Sequence, residues 1–164
     1  MRNDDDIKAL LTAWQDAWSR QDVDGVLAFF AEAFQFEDIP IGLRASNKVE
    51  MRGVLDTTFE GVPNFRMDIL EHQTGEGFVV TKWMQSGNMT VKGYGLDLKD
   101  HAYKVITTSI IGLSEGGLIT AVSDNWNTGV FYQWANGYEG VAVAAPDRKC
   151  INAQGAPRSS TGRQ

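Results

Sequence analysis

Apolar residues recur at helical spacing from the start of the chain. Ile7, Leu10, Leu11, Trp14, Ala17 and Trp18 fall on one stripe, so an amphipathic helix is expected from residue 5 to about 20. Asp22 is placed to cap a second, short helix from Val23 to Phe30, with Val26, Leu27, Phe29 and Phe30 as its apolar face. The period then changes. Ala33 to Asp38 alternates and is aromatic, which suits a short strand. It stops at Ile39-Pro40-Ile41-Gly42, because proline has no N–H for a ladder. A third helix is expected from Ser46 to Phe59, with Ser46 as its cap.

From Pro63 onward the pattern is that of strands: Phe65 to His72, then Phe78 to Met89, separated by the turn Thr74-Gly75-Glu76-Gly77. A polar hairpin from Lys92 to Lys99 leads into a long β-branched strand, Ala102 to Leu113. The turn Ser114-Glu115-Gly116-Gly117 follows, and a last strand runs from Leu118 to Trp126. With no helix between these strands, the sheet is expected to be largely antiparallel. Thr128 to Gly137 reads as a helical turn or a loop. From Ala144 the chain becomes polar and irregular, so a domain over residues 1–143 and an irregular tail over 144–164 are expected. The fold class is therefore α+β: three helices, then a strongly curved sheet. Helices on one face of such a sheet enclose a cone whose open end suits a small molecule.

Charge narrows the partners. The net charge of −6 lacks the clustered Lys and Arg that a nucleic-acid binder needs. Asp4-Asp5-Asp6 reads as a solvated cap ahead of the first helix. The single cysteine, Cys150, excludes an internal disulfide and a Cys-rich zinc site, and a reducing cytoplasm is the expected compartment. No apolar run is long enough to span a membrane, and the basic-then-apolar pattern of a signal peptide is missing. His72 and His101 lack ligand spacing, so no metal is expected, and both read as solvated. No Gly-rich nucleotide loop is present, and no cofactor is expected.

The stretch Trp14-Gln15-Asp16-Ala17-Trp18 through Asp22-Val23-Asp24-Gly25-Val26-Leu27-Ala28-Phe29-Phe30 resembles the opening of the NTF2-like superfamily. Phe36-Glu37-Asp38-Ile39-Pro40 is similar to the ketosteroid isomerase branch, where an aspartate in such a turn is the general base. Those isomerase roles are among the best-characterised cases of carboxyl pKa tuning. The later half, with Ser123-Asp124-Asn125-Trp126-Asn127 and Gln133, resembles the SnoaL-like polyketide cyclases. The resemblance covers roughly residues 7 to 137. It implies an NTF2-like cone with Asp38 as base. The isomerase oxyanion tyrosine falls on Trp14, whose indole N–H donates a hydrogen bond but is no proton source. The second oxyanion donor, and the acid/base aspartate of the cyclases, falls near Ser109.

Alternation puts Val122, Asp124 and Trp126 on one face of the last strand, and the resemblance turns that face inward with Thr107, Ser109 and Ile111 of its neighbour. Asp38 and Asp124 would then enter one apolar pocket and form an acid/base pair, the pKa of the second raised by its tryptophan surroundings. The plainer alternative makes Asp38 a turn carboxylate and Asp124 a strand-end one. Trp14, Trp18, Trp83 and Trp126 either line the ligand cavity or are core. Phe131, Tyr132 and Trp134 are expected to close the cone mouth or meet a second subunit.

The function expected is cofactor-independent acid/base isomerisation or cyclisation of a hydrophobic, ring-containing metabolite of polyketide or terpenoid type. Asp38 and Asp124 are its catalytic residues, and Trp14, Trp18, Trp83, Ser109 and Trp126 bind the substrate. The alternatives are a limonene epoxide hydrolase-like hydrolase and a non-catalytic binding module. A homodimer is expected through the exposed sheet face, from Val105, Ile106 and Ile110 taken as outward.

Overall fold

The first helix, α1 (Asp4–Ser19), begins where Asn3 accepts the Asp6 N–H at 2.8 Å. Asn3 is thus the cap, and the acidic run fills the first turn, where the helix dipole favours negative charge. The buried face of α1 is the expected stripe of Ile7, Leu10, Leu11, Trp14, Ala17 and Trp18. Asp22 caps α2 (Val23–Ala28), accepting the Gly25 N–H at 2.9 Å. This helix is shorter than its apolar pattern suggests, because Phe30 already begins β1 (Phe30–Asp38). The third helix, α3 (Lys48–Gly61), is capped by Asn47, whose Oδ1 accepts the N–H groups of Val49 and Glu50. Ser46 lies one residue outside and donates its N–H and hydroxyl to Glu50, at 2.8 and 3.0 Å.

The structure is a computed structural model that describes residues 3–93 and 96–131. Tyr132, Gln133, Trp134, Cys150, the rest of the segment to Gly137 and the tail from Ala144 lie outside the described residues. The remaining strands are β2 (Leu43–Ala45), β3 (Arg66–Gly75), β4 (Phe78–Gly93), β5 (Leu96–Leu113) and β6 (Ile119–Trp126). They form one six-stranded sheet in the order β2-β1-β6-β5-β4-β3. Every neighbouring pair is antiparallel except β1 with β6, which run parallel. That pair matters most for the site, and only a long-range crossover creates it. β2, three residues long, carries too little pattern to be read from sequence.

The helices cover one face of the sheet. The Trp14 ring lies edge-on to Trp83 of β4 at 5.7 Å. α1 also satisfies the edge strand: Gln15 Oε1 accepts the Ile69 N–H at 2.6 Å, beside the β3 bulge, and Ser19 Oγ accepts the Met67 N–H at 3.1 Å. At Gly87 the connection from α3 to β3 presses on β4. A Cβ there would meet Val62 Cγ1 at 2.5 Å and Asn64 O at 3.2 Å, so only glycine permits the approach. The architecture is the expected α+β cone-type layout, with an added turn of 3-10 helix at Ile39–Ile41.

On β5, residues Tyr103, Val105, Thr107, Ser109 and Ile111 all face the core. Val105, 3% exposed, is therefore a core residue and not part of the outer face. Neighbours along a strand point to opposite sides, so Val105 and Ile106 cannot both face out. Ile106 and Ile110 keep the outward orientation, with Ile110 49% exposed. No described helix is long and apolar enough to cross a membrane.

Candidate active site

Asp38 is the last residue of β1, where the chain turns through Ile39-Pro40-Ile41. Gly42, at φ 71°, closes this turn in the left-handed region and donates its N–H to Asp38 O at 2.9 Å. The half-buried Asp38 carboxylate accepts Trp126 Nε1–H at 2.9 Å and the backbone N–H of Ile41. Burial pushes its pKa up to about 6, against the pull of these two donors, which favour the anion.

Asp124 stands directly opposite Asp38 in the parallel β1–β6 register. Register partners on neighbouring strands share a face, so both carboxyl groups project toward the helices. Asp124 Oδ1 accepts the Ser109 hydroxyl at 2.5 Å. Burial raises the Asp124 pKa to about 7; the Ser109 bond opposes the rise and the charge of Asp38 adds to it. Ser109, 1% exposed, sits opposite Asp124 on β5 and accepts Trp83 Nε1–H at 2.9 Å. Asp38 with Trp126, and Asp124 with Ser109 and Trp83, are thus two hydrogen-bonded groups joined across one strand pair.

The other tryptophans stand farther back. Trp14 touches Trp83 edge-on, and Trp18 lies beyond it, 6.1 Å from Trp14 and against Phe59 and Phe65. Both are core residues, and their buried indole nitrogens have no partner among the described residues, as is true of the Thr81 and Thr107 hydroxyls. Trp126 meets Phe131 at 4.9 Å, and Tyr103 meets Phe131 at 6.4 Å. Phe131 is therefore packed at the Trp126 end of the sheet. Tyr103, whose phenol pKa burial raises, escaped the sequence reading, as did Thr81. The signal was present: Tyr103 lies on the Thr107–Ser109 face by alternation, and Thr81 lies between Val79 and Trp83 on the same face of β4.

His72 is not solvated as expected. It is half-buried, with Nε2 3.2 Å from Asp4 Oδ1, an oxygen that also accepts the Thr74 hydroxyl at 3.0 Å. His101 sits opposite Met89 in the β4–β5 hairpin. Among the described residues no cluster of His, Cys, Asp and Glu has the arrangement of a metal site. Two surface clefts lie away from the carboxyl pair. One, of about 410 Å³, runs between α2 and α3 and is lined by Asp24, Leu27, Lys48 and Arg52; the other, of about 300 Å³, lies at the hairpin ends around Phe78. The charges of the first are committed to exposed ion pairs, Arg52 with Asp24 and Lys48 with Glu32. Perturbed, partnered carboxyl groups mark chemistry better than surface concavity, which places the candidate site at Asp38 and Asp124.

Solved structures share this fold. A protein with a ketosteroid isomerase-like fold from Catenulispora acidiphila, in complex with trimethylamine, superposes with a TM-score of 0.67 at 18% identity, over 77% of this chain and 92% of its own. A candidate polyketide cyclase from Xanthomonas campestris gives 0.62 at 22% identity, over 79% and 93%. SalBIII, described as an epoxide hydrolase/cyclase-like enzyme of pyran ring formation in the polyether salinomycin, gives 0.66 at 13% identity, over 79% and 96%. These likenesses show the NTF2-like fold. No curated protein sequence matches this one. Residues 11–122 match the SnoaL-like domain, a span that holds Asp38 and Ser109 and stops just short of Asp124. By that match, which covers most of the chain, this protein belongs to the SnoaL-like domain family.

Proposed function

We propose that this SnoaL-like protein is a cofactor-independent acid/base enzyme, an isomerase or cyclase. Its substrate is a hydrophobic, ring-containing small molecule of polyketide or terpenoid type. The observation that carries the reading is the unequal setting of two facing carboxyl groups. Asp38 accepts two N–H groups that cannot accept a proton in return, so its anion is favoured. Asp124 has one hydroxyl donor and feels the charge of Asp38, so it is the member that keeps a proton near neutrality. Asp38 then removes a proton beside a carbonyl. Asp124 donates to the oxygen that gains charge, or returns the proton to a second carbon. Trp126 supplies an apolar wall beside Asp38, with Ser109 and Trp83 behind Asp124 and Trp14 and Trp18 backing Trp83 from the core.

Incubation with a panel of cyclic ketones and enones in deuterium oxide tests this. The expected result is deuterium uptake next to the carbonyl, with a bell-shaped rate profile between the limbs at about 6 and about 7. Uptake that rises monotonically with pH would overturn the pairing. Ligand-induced quenching of tryptophan fluorescence with no uptake from any panel member would point instead to a non-catalytic binding module.

The likeness to SalBIII favours a second reading, epoxide opening, with Asp38 activating the nucleophile and Asp124 protonating the epoxide oxygen. The arginine used in the limonene epoxide hydrolase-like branch has no counterpart at the pair among the described residues. Arg44, Arg52 and Arg66 are exposed and pair with Glu37, Asp24 and Asp68. Oxygen from isotopically labelled water appears in the product only under the hydrolytic form of this reading.

The same reading includes a homodimer and a cytoplasmic setting. The uncovered face of the sheet carries Ile106 and the exposed Ile110, and burying them against a second copy would remove apolar surface from water. Light scattering is expected to give twice the mass of the chain, and a monomeric mass would remove this proposal.

A further inference from the structure

We propose that Trp83 is a positioning residue that acts through Ser109 to fix which oxygen of Asp124 carries the proton. The proposal rests on the reading of Asp124 as the acid of the pair. An indole N–H donates and never accepts, so the bond from Trp83 Nε1 to Ser109 Oγ at 2.9 Å has one direction. Ser109 owns a single hydrogen, and Asp124 Oδ1, at 2.5 Å, is the acceptor that it reaches. With the hydroxyl donating to Oδ1, both bonds are satisfied. In the reverse arrangement, with Asp124 donating to Ser109, the buried hydroxyl hydrogen would be left without an acceptor, a costly outcome. Oδ1 therefore accepts, and an acidic proton on Asp124 resides on Oδ2, the oxygen free of Ser109. Each donor in the chain polarises the next, so the indole strengthens the Ser109 bond.

Comparison with the neighbouring tryptophans separates this role from simple filling of volume. Trp14 and Trp83 are both fully buried and in contact, yet the Trp14 indole N–H has no partner among the described residues. Trp83 alone of the two delivers its N–H to the polar row that spans Thr81, Ser109, Asp124 and Asp38 in register. A proton held on one oxygen is presented to the substrate from one direction, which is what a site that moves hydrogen between carbon atoms requires.

NMR tests the relay without any substrate. Carboxyl-carbon titration follows Asp124, assigned with Asp124→Asn, and proton–nitrogen correlation follows the Trp83 indole. In the wild type the indole resonance is expected to move with the Asp124 midpoint, and in Ser109→Ala that pH response is lost. Trp83→Phe is expected to raise the Asp124 midpoint by up to about one pH unit, and to raise it no further once Ser109 is Ala. An unmoved midpoint in Trp83→Phe, or an equal shift with and without Ser109, overturns the relay. Should Trp83→Phe fail to fold, the indole response decides alone, and a resonance indifferent to the Asp124 titration overturns the proposal. An Asp124 that titrates in the ordinary carboxylate range defeats the acid reading instead; the relay is then judged by whether the indole follows that lower midpoint.

Discussion

Replacing Asp38 by Asn is expected to lower turnover about 10²- to 10⁴-fold while fold and ligand binding survive. Asn has the same shape, its Oδ1 still accepts from Trp126 Nε1, and the turn at Ile39–Ile41 keeps the backbone bond from Gly42 N–H to residue 38 O. What disappears is the only group of the pair poised to take a proton. Asp124 cannot substitute, because its own pKa rises through burial and it holds the proton that Asp38 lacks. Measured as kcat against a dissociation constant from tryptophan quenching, the loss should fall almost wholly on kcat. Asp124→Asn is expected to behave differently. An amide still donates a hydrogen bond from the Oδ2 position, so the loss is smaller, and the alkaline limb of the rate profile vanishes with the group that titrates there. Retention of kcat within about tenfold in Asp38→Asn would remove the base from the mechanism.

The fold was legible wherever a period is sustained. The α1 stripe and the long strands around Val79 and Ile111 follow from repeats of 3.6 and 2 residues that burial enforces, while the inward phase of Thr107, Ser109 and Ile111 came from the family resemblance. Legibility failed where one residue decides between neighbours of equal chemistry. Asn47 and Ser46 are both good caps, and the choice depends on where Glu50 folds back. Val105 and Ile106 are both apolar but alternation lets only one of them face out; a strand with apolar residues on both faces hides its own phase. At the site, Asp38 was visible through its turn and Asp124 through the face it shares with Val122. Their facing register was not visible, since β2, α3, β3, β4 and β5 all lie between β1 and β6 in the chain. Nor did Ser109 announce that its hydroxyl is committed to Asp124 and Trp83, a fact of three strands in lateral register.

The same substitution that removes the acid, Asp124→Asn, is expected to stabilise the folded protein by about 2–4 kcal/mol near pH 8. The Asp124 pKa stands near 3.8 in the open chain and about 7 in the folded protein. Between those values the folded state binds more protons than the unfolded state, so stability falls as pH rises. The favourable contribution is complete below about 3.8 and gone above about 7, where folding must hold a buried anion. Asn does not titrate and escapes that cost, so its advantage appears in urea melts at about pH 8 and disappears at about pH 4. An advantage that is the same at both pH values would show that packing, not charge, is responsible. Asp38 shifts in the same direction and for the same first reason, burial, so Asp38→Asn should also stabilise at alkaline pH. The two gains cannot simply add. The charge of Asp38 helps to raise the Asp124 pKa, so removing Asp38 relieves part of the cost that Asp124 bears. The double variant should therefore gain less than the sum of the single ones, and the shortfall measures the repulsion that keeps one proton between Asp38 and Asp124.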